Sequence, residues 1–142
     1  MRVAPHWLLL LSVVGCIPVP HRIQEFPETQ GILLAHGVPI ADALVWQVPS
    51  HDKGACVHLV PAVRTDAGGH FGLRGSSRLG VVWYFPGLEY GHSWSVCVED
   101  PTSGRTLQWR PEGLSPPYAP RRAALTCNVA DQLQCEAKYG YE

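Results

Sequence analysis

In HSWSVCVE, residues 92–99, apolar and polar side chains change places at every step: Trp94, Val96 and Val98 fall on one side, Ser95, Cys97 and Glu99 on the other. A period of two belongs to a strand with one face in a core, because successive side chains of a strand point to opposite faces. From Thr29 onward the chain repeats this form in short runs separated by turn residues: QGILLAH, ALVWQV, CVHLVPAV, HFGLR, GVVWYF, RTLQW and RAALTCNV. Gly 14 and Pro 13 agree with it, since both interrupt helices and suit many short strands and turns. The expectation is an all-β fold, a single sandwich of seven to eight strands over residues 29–130. The same parity places Phe71 with Leu73, Leu107 with Trp109, and Ala123 with Leu125 and Val129 toward the core.

At 142 residues the chain supports one ordinary domain with a core that needs no cofactor. Lys plus Arg number 11 and Asp plus Glu 12, with no basic run to follow a phosphate backbone, so nucleic acid is not an expected partner. No internal repeat of solenoid length is present.

The N-terminus carries a different signal. MRVAPHWLLLLSVVGC has Arg2, an apolar run from Trp7 to Val14, and Gly15 directly before Cys16. The run is too short to span a bilayer as a mature helix and has the layout of a secretory signal. Val13-Val14-Gly15-Cys16 resembles the bacterial lipobox, which implies cleavage before Cys16 and diacylation of its thiol. Residues 1–15 are then a signal peptide and Cys16 the lipidated first residue of the mature chain. Two or more acyl chains give a stable anchor, each buried methylene adding about 0.8 kcal/mol. Ile17, rather than Asp, follows the cysteine; in the sorting rule of such lipoproteins this implies the outer membrane, with the domain facing the periplasm. The proline-bearing IPVPHRIQEFPE completes residues 16–28 as an extended tether lifting the domain off the lipid.

Two turns define the body further. Gly37-Val38-Pro39 precedes Ala43 and Val45, and Thr65-Asp66-Ala67-Gly68-Gly69 joins two strands, with glycines free to take positive φ and Asp66 suited to an Asx-type bond. GVPIADALVWQV followed by RTDAGGHFGL is similar to the G-x-P-x-x-x-A-x-V … T-D-x-x-G-x-F pattern of carboxypeptidase regulatory-like domains, also called transthyretin-like or prealbumin-like. The resemblance covers about Thr29 to Val129, its first half most closely, and implies a transthyretin-like (Ig-like) sandwich. It implies no activity on its own.

Beyond Cys16 the chain has Cys56, Cys97, Cys127 and Cys135, an even set in a chain with an export signal, so disulfides are expected. No C-x-x-C pair supports a zinc ribbon or a thioredoxin-like site. Three pairings are open; the one favoured joins Cys97 to Cys127 across two late strands and Cys56 to Cys135, although strand parity turns Cys97 outward and Cys127 inward. The tail 131–142, DQLQCEAKYGYE, has room for a helical turn or two that needs tertiary support.

Two enzyme families share this sandwich. Intradiol dioxygenases carry a phrase like Val45-Trp46-Gln47 and hold iron with two Tyr and two His. Here Tyr90 and His92 are followed by Trp94 where the second His belongs, so one ligand is missing. Hydroxyisourate hydrolases end in a YRGS-like sequence, whereas this chain ends Tyr139-Gly140-Tyr141-Glu142. His21, His36, His51, His58, His70 and His92 lack metal-ligand spacing, and Ser76-Ser77, Ser93 and Ser95 lack a nucleophile elbow. The sequence therefore predicts no catalytic residue, no metal and no cofactor.

Two surfaces remain for a partner. If Ala43 and Val45 face the core, then Leu44, Trp46 and Val48 form either a second buried layer or an exposed apolar patch. RPEGLSPPYAPRR, from Arg110 to Arg122, is a long loop with four prolines and Tyr118. The expected role is a non-catalytic, lipid-anchored envelope protein that binds an envelope protein or cell-wall glycan or serves as structural support. The alternatives are an inhibitor or immunity lipoprotein with a protein partner, and a degenerate dioxygenase-like metal-binding protein.

Overall fold

In a computed structural model the described residues are 19–49, 56, 61–82, 94–111 and 120–141. They are all-β: β1 (Val19–Phe26), β2 (Glu28–Ala35), β3 (Val38–Pro39), β4 (Leu44–Pro49), β5 (Val63–Arg64), β6 (His70–Leu73), β7 (Ser76–Val82), β8 (Trp94–Glu99), β9 (Thr106–Trp109), β10 (Arg122–Val129) and β11 (Leu133–Gly140). This is the expected all-β sandwich, with eleven strands among the described residues.

One sheet runs β11-β10-β2, with β3 and β6 both pairing the far side of β2; the other runs β5-β4-β8-β9. β10 and β2 are parallel while the remaining pairs are antiparallel. The sheets face each other across one core, in which Leu33, Phe71, Leu73, Leu125 and Val129 meet Val45, Trp94, Val96 and Val98. The inward positions expected for β6, β8, β9 and β10 all lie in or against this core. β10 alternates strictly between exposed and buried residues, the signature of a strand with one solvated face.

Local chemistry sets the turns. His36 and Gly37 both have positive φ (50° and 81°), the requirement of a two-residue type I′ connection, and they join β2 to β3 with Ala35 opposite Val38. The carboxylate of Asp66 accepts hydrogen bonds from the Gly68 and His70 backbone N–H groups, both at 2.8 Å, so the expected Asx-type turn forms. Gly31 has a packing reason: the Phe71 ring, its cross-strand neighbour, lies where a Cβ would go.

Both ends of the chain depart from expectation. Residues 19–26, read as part of an extended tether, form β1 and pair with β7 from Val19–Val82 to Phe26–Ser76. This ribbon continues the β2–β6 ladder past a bend at Pro27 and Gly75, since Thr29 pairs with Leu73 on one side of the bend and Phe26 with Ser76 on the other. Pro27 is buried, and its carbonyl accepts from Gln47 Nε2 (3.3 Å), tying the bend to β4. Arg78 pairs with Glu25 at 3.0 Å on the ribbon surface, a contact of small energetic weight at that exposure.

The tail makes β11 instead of a helical turn, paired with β10 through Val129–Leu133 and Arg122–Gly140. Leu133, Cys135, Ala137 and Tyr139 lie against the core, while Gln134, Glu136 and Lys138 are exposed. A helix of this sequence would spread those apolar side chains around its axis, whereas a strand gathers all of them on one face.

Candidate functional site

The four cysteines of the body are all disulfide-bonded, but not in the favoured pairing: Cys56 joins Cys97, and Cys127 joins Cys135. The parity conflict explains the correction. Cys127 points into the core between the sheets and Cys97 points out of the opposite sheet, so a bond between them would have to pass through a strand. Cys135 lies directly across the ladder from Cys127. Cys97 is met from outside by Cys56, which precedes β5.

That outer bond decides the place of Trp46. Trp46, Val48 and Cys97 are buried together on the outer face of β4 and β8, with Leu44, Cys56 and Ala62 packed against them. Trp46 is 0% exposed, so the exposed-patch reading is corrected: a second buried layer covers this face. Ser95 is likewise fully buried and unavailable as a nucleophile. Trp94, at the position of the missing iron ligand, faces the main core and meets Trp109 edge-on with ring centroids 5.9 Å apart. Among the described residues no group of three or more His, Cys, Asp or Glu side chains is placed to hold a metal.

Several sequence candidates lie outside the described residues: Cys16, Tyr118, Tyr90, His51, His58 and His92. The described flanks of the proline-rich loop can be placed. Arg110 and Pro111 follow β9, and Pro120 is fully buried where the chain returns to β10. Arg110 and Pro111 border an open cleft of about 910 Å³ between the rims of the two sheets. Trp109 and Arg110 form one wall; Leu133, Cys135, Ala137 and Tyr139 of β11 form the other. Burial, with a smaller contribution from the neighbouring Tyr141, raises the Tyr139 phenol above its ordinary pKa and keeps it a neutral hydrogen-bonding group. Half-buried aromatic rings beside glutamine and arginine are groups that can hold a ligand. Sequence reading found the loop but not the cleft, because reading the tail as helical hid its second wall. The period of two in Leu133, Cys135, Ala137 and Tyr139 was the available signal.

The two perturbed carboxylates of the described chain shape turns. The His70 backbone N–H, partly offset by desolvation, holds Asp66 below the usual carboxylate range. The Ser103 hydroxyl and then the Thr102 N–H do the same for Asp100 in the turn between β8 and β9. Neither lies in the cleft.

No protein-family model, no curated protein and no solved structure matches the chain.

Proposed function

We propose that this chain is a non-catalytic, lipid-anchored envelope protein whose disulfide-bonded sandwich serves binding or structural support. The observation that carries the reading is that all four cysteines of the body are paired in disulfides, as suits an exported chain in an oxidising compartment. The sequence from Arg2 to Cys16 supplies the export signal and the acylation site. Its outer-membrane address, periplasmic orientation and kinship with carboxypeptidase regulatory-like domains belong to the same proposal, supported by Ile17 and by the GVPIADALVWQV and RTDAGGHFGL stretches.

β1 begins at Val19, three residues beyond Cys16, so a lipid on Cys16 reaches the β1–β7 ribbon across at most ~10 Å of extended chain. The eight residues of β1 then act as a stiff spacer about 25 Å long. Metabolic labelling with a palmitate analogue tests this: the chain becomes labelled, and Cys16→Ala abolishes both label and membrane fractionation. Labelling that survives Cys16→Ala, or a wild-type chain that never labels, would refute the anchor.

A second reading, an inhibitor or immunity-type lipoprotein with a protein partner, is favoured by the cleft that opens beside Arg110 and Pro111. Capture of a defined envelope protein that is lost in a Tyr118→Ala, Tyr139→Ala double variant supports it. Capture unaffected by both substitutions rejects it, as does its retention on cell-wall glycan alone.

A further inference from the structure

Among the described residues β11 is the last strand of its sheet, with β10 on one side and no strand on the other. The carbonyls of Gln132 and Gly140 accept from Ala130 and Arg121. Backbone groups in an antiparallel ladder alternate in direction, so the even-numbered residues face β10 while Cys135, Ala137 and Tyr139 direct N–H and C=O outward. The short Cα–Cα distance of 4.0 Å between Cys127 and Cys135 agrees, being that of a non-hydrogen-bonded pair. Natural sheets protect a long edge of this kind with charges that repel another copy. β11 departs from that pattern: its exposed face carries Glu136 and Lys138, of opposite sign and two residues apart, and neither has an ion-pair partner among the described residues.

We propose that β11 pairs antiparallel with β11 of a second copy about a two-fold axis at Ala137, placing each Glu136 opposite Lys138 of the other chain. In that register Ala137 faces its own counterpart as a hydrogen-bonded pair, and Cys135 faces Tyr139. The outward backbone groups of all three residues are then satisfied. Glu136 and Lys138 fall at the non-hydrogen-bonded positions, where side chains approach most closely, and the symmetry forms the ion pair twice. On the core side, Tyr141, 57% exposed, comes opposite Leu133. A register displaced by two residues would set Glu136 or Lys138 against itself, so the charges select one alignment. The two core sheets become halves of a longer assembly whose central strands are the two copies of β11. This pairing stands on β11 alone and does not depend on the lipid anchor.

Sedimentation equilibrium of the full chain in density-matched detergent tests it. The wild type forms a dimer at concentrations up to ~100 μM. Glu136→Lys and Lys138→Glu, each creating two like-charge contacts, weaken it about tenfold or more. The E136K/K138E double variant restores it to within about threefold. Circular dichroism of each variant checks that the fold persists. In the wild type, hydrogen exchange at the amides of Cys135, Ala137 and Tyr139 slows as concentration rises, independently of any substitution. A monomer throughout, a dimer indifferent to both single variants, a folded double variant that fails to recover, or exchange independent of concentration would each overturn the proposal.

Discussion

The two faces of the β4–β8 pair are both buried but are held in different ways. On the inner face Val45, Val96, Val98 and Trp94 are covered by a whole sheet, and burial of each large apolar side chain stabilises by about 1.5–3 kcal/mol. On the outer face Trp46, Val48 and Cys97 have Leu44, Cys56 and Ala62 against them, and the Cys56–Cys97 bond fixes that contact. The inner face is an ordinary sandwich core. The outer face is sealed by a covalent link between residues 41 apart. Under reducing conditions the first would persist while the second lost its clamp.

The sharpest way to separate the faces is to remove that clamp. Restricting a loop of this length in the unfolded chain contributes about 4 kcal/mol, so Cys56→Ala with Cys97→Ala should lower unfolding stability by that order in urea titration. Acrylamide should also gain access to Trp46, a change lost in a Trp46→Phe background. Trp46 remaining shielded would mean that the layer holds without the bond. The inner face gives the next effect. Leu125→Ala should cost about 3 kcal/mol through lost burial and the cavity left behind, with Trp46 shielding unchanged. A smaller loss, about 2.5 kcal/mol, is expected from Cys127→Ala with Cys135→Ala, because that bond closes a separation of only 8 residues within a ladder that also pairs Thr126 with Glu136 and Asn128 with Gln134.

The smallest effect lies in the turns. Asp66 and Asp100 have lowered folded-state pKa values, so their contribution is fully present above the ordinary carboxylate pKa of about 4 and is lost as pH falls through the lower folded values. Melting temperature should therefore decline below pH ~4, and Asp66→Asn with Asp100→Asn should flatten that slope without altering Trp46 access.

The same contrast explains what the sequence made legible. Inward positions followed directly from parity, as at Phe71 and Leu73 or across Ala123, Leu125 and Val129, because a strand's two faces meet different solvents. The Asp66 turn was readable from a side chain suited to an Asx-type bond followed by glycines, whereas the turn expected at Gly37-Val38-Pro39 sits at His36-Gly37, with Val38 and Pro39 already in β3. The covered side of Trp46 was not readable: alternation shows that a residue faces away from the core but not whether another segment closes over it. The disulfide partners had the same limit, since pairing depends on which segments meet in space, although the opposite parities of Cys97 and Cys127 already counted against joining them. The tail was misread through its length and its charged residues, when its alternation was as clear as that of β8.

Peptide mapping without reduction, on the chain recovered from its native envelope, tests the account most directly, because export and fold must both hold for one result. After trypsin, residues 54–64 should be found linked to residues 79–105 through Cys56 and Cys97, and residues 123–138 should appear as one peptide lighter by a pair of hydrogens. A link between Cys97 and Cys127, or free thiols at these four positions, would contradict it.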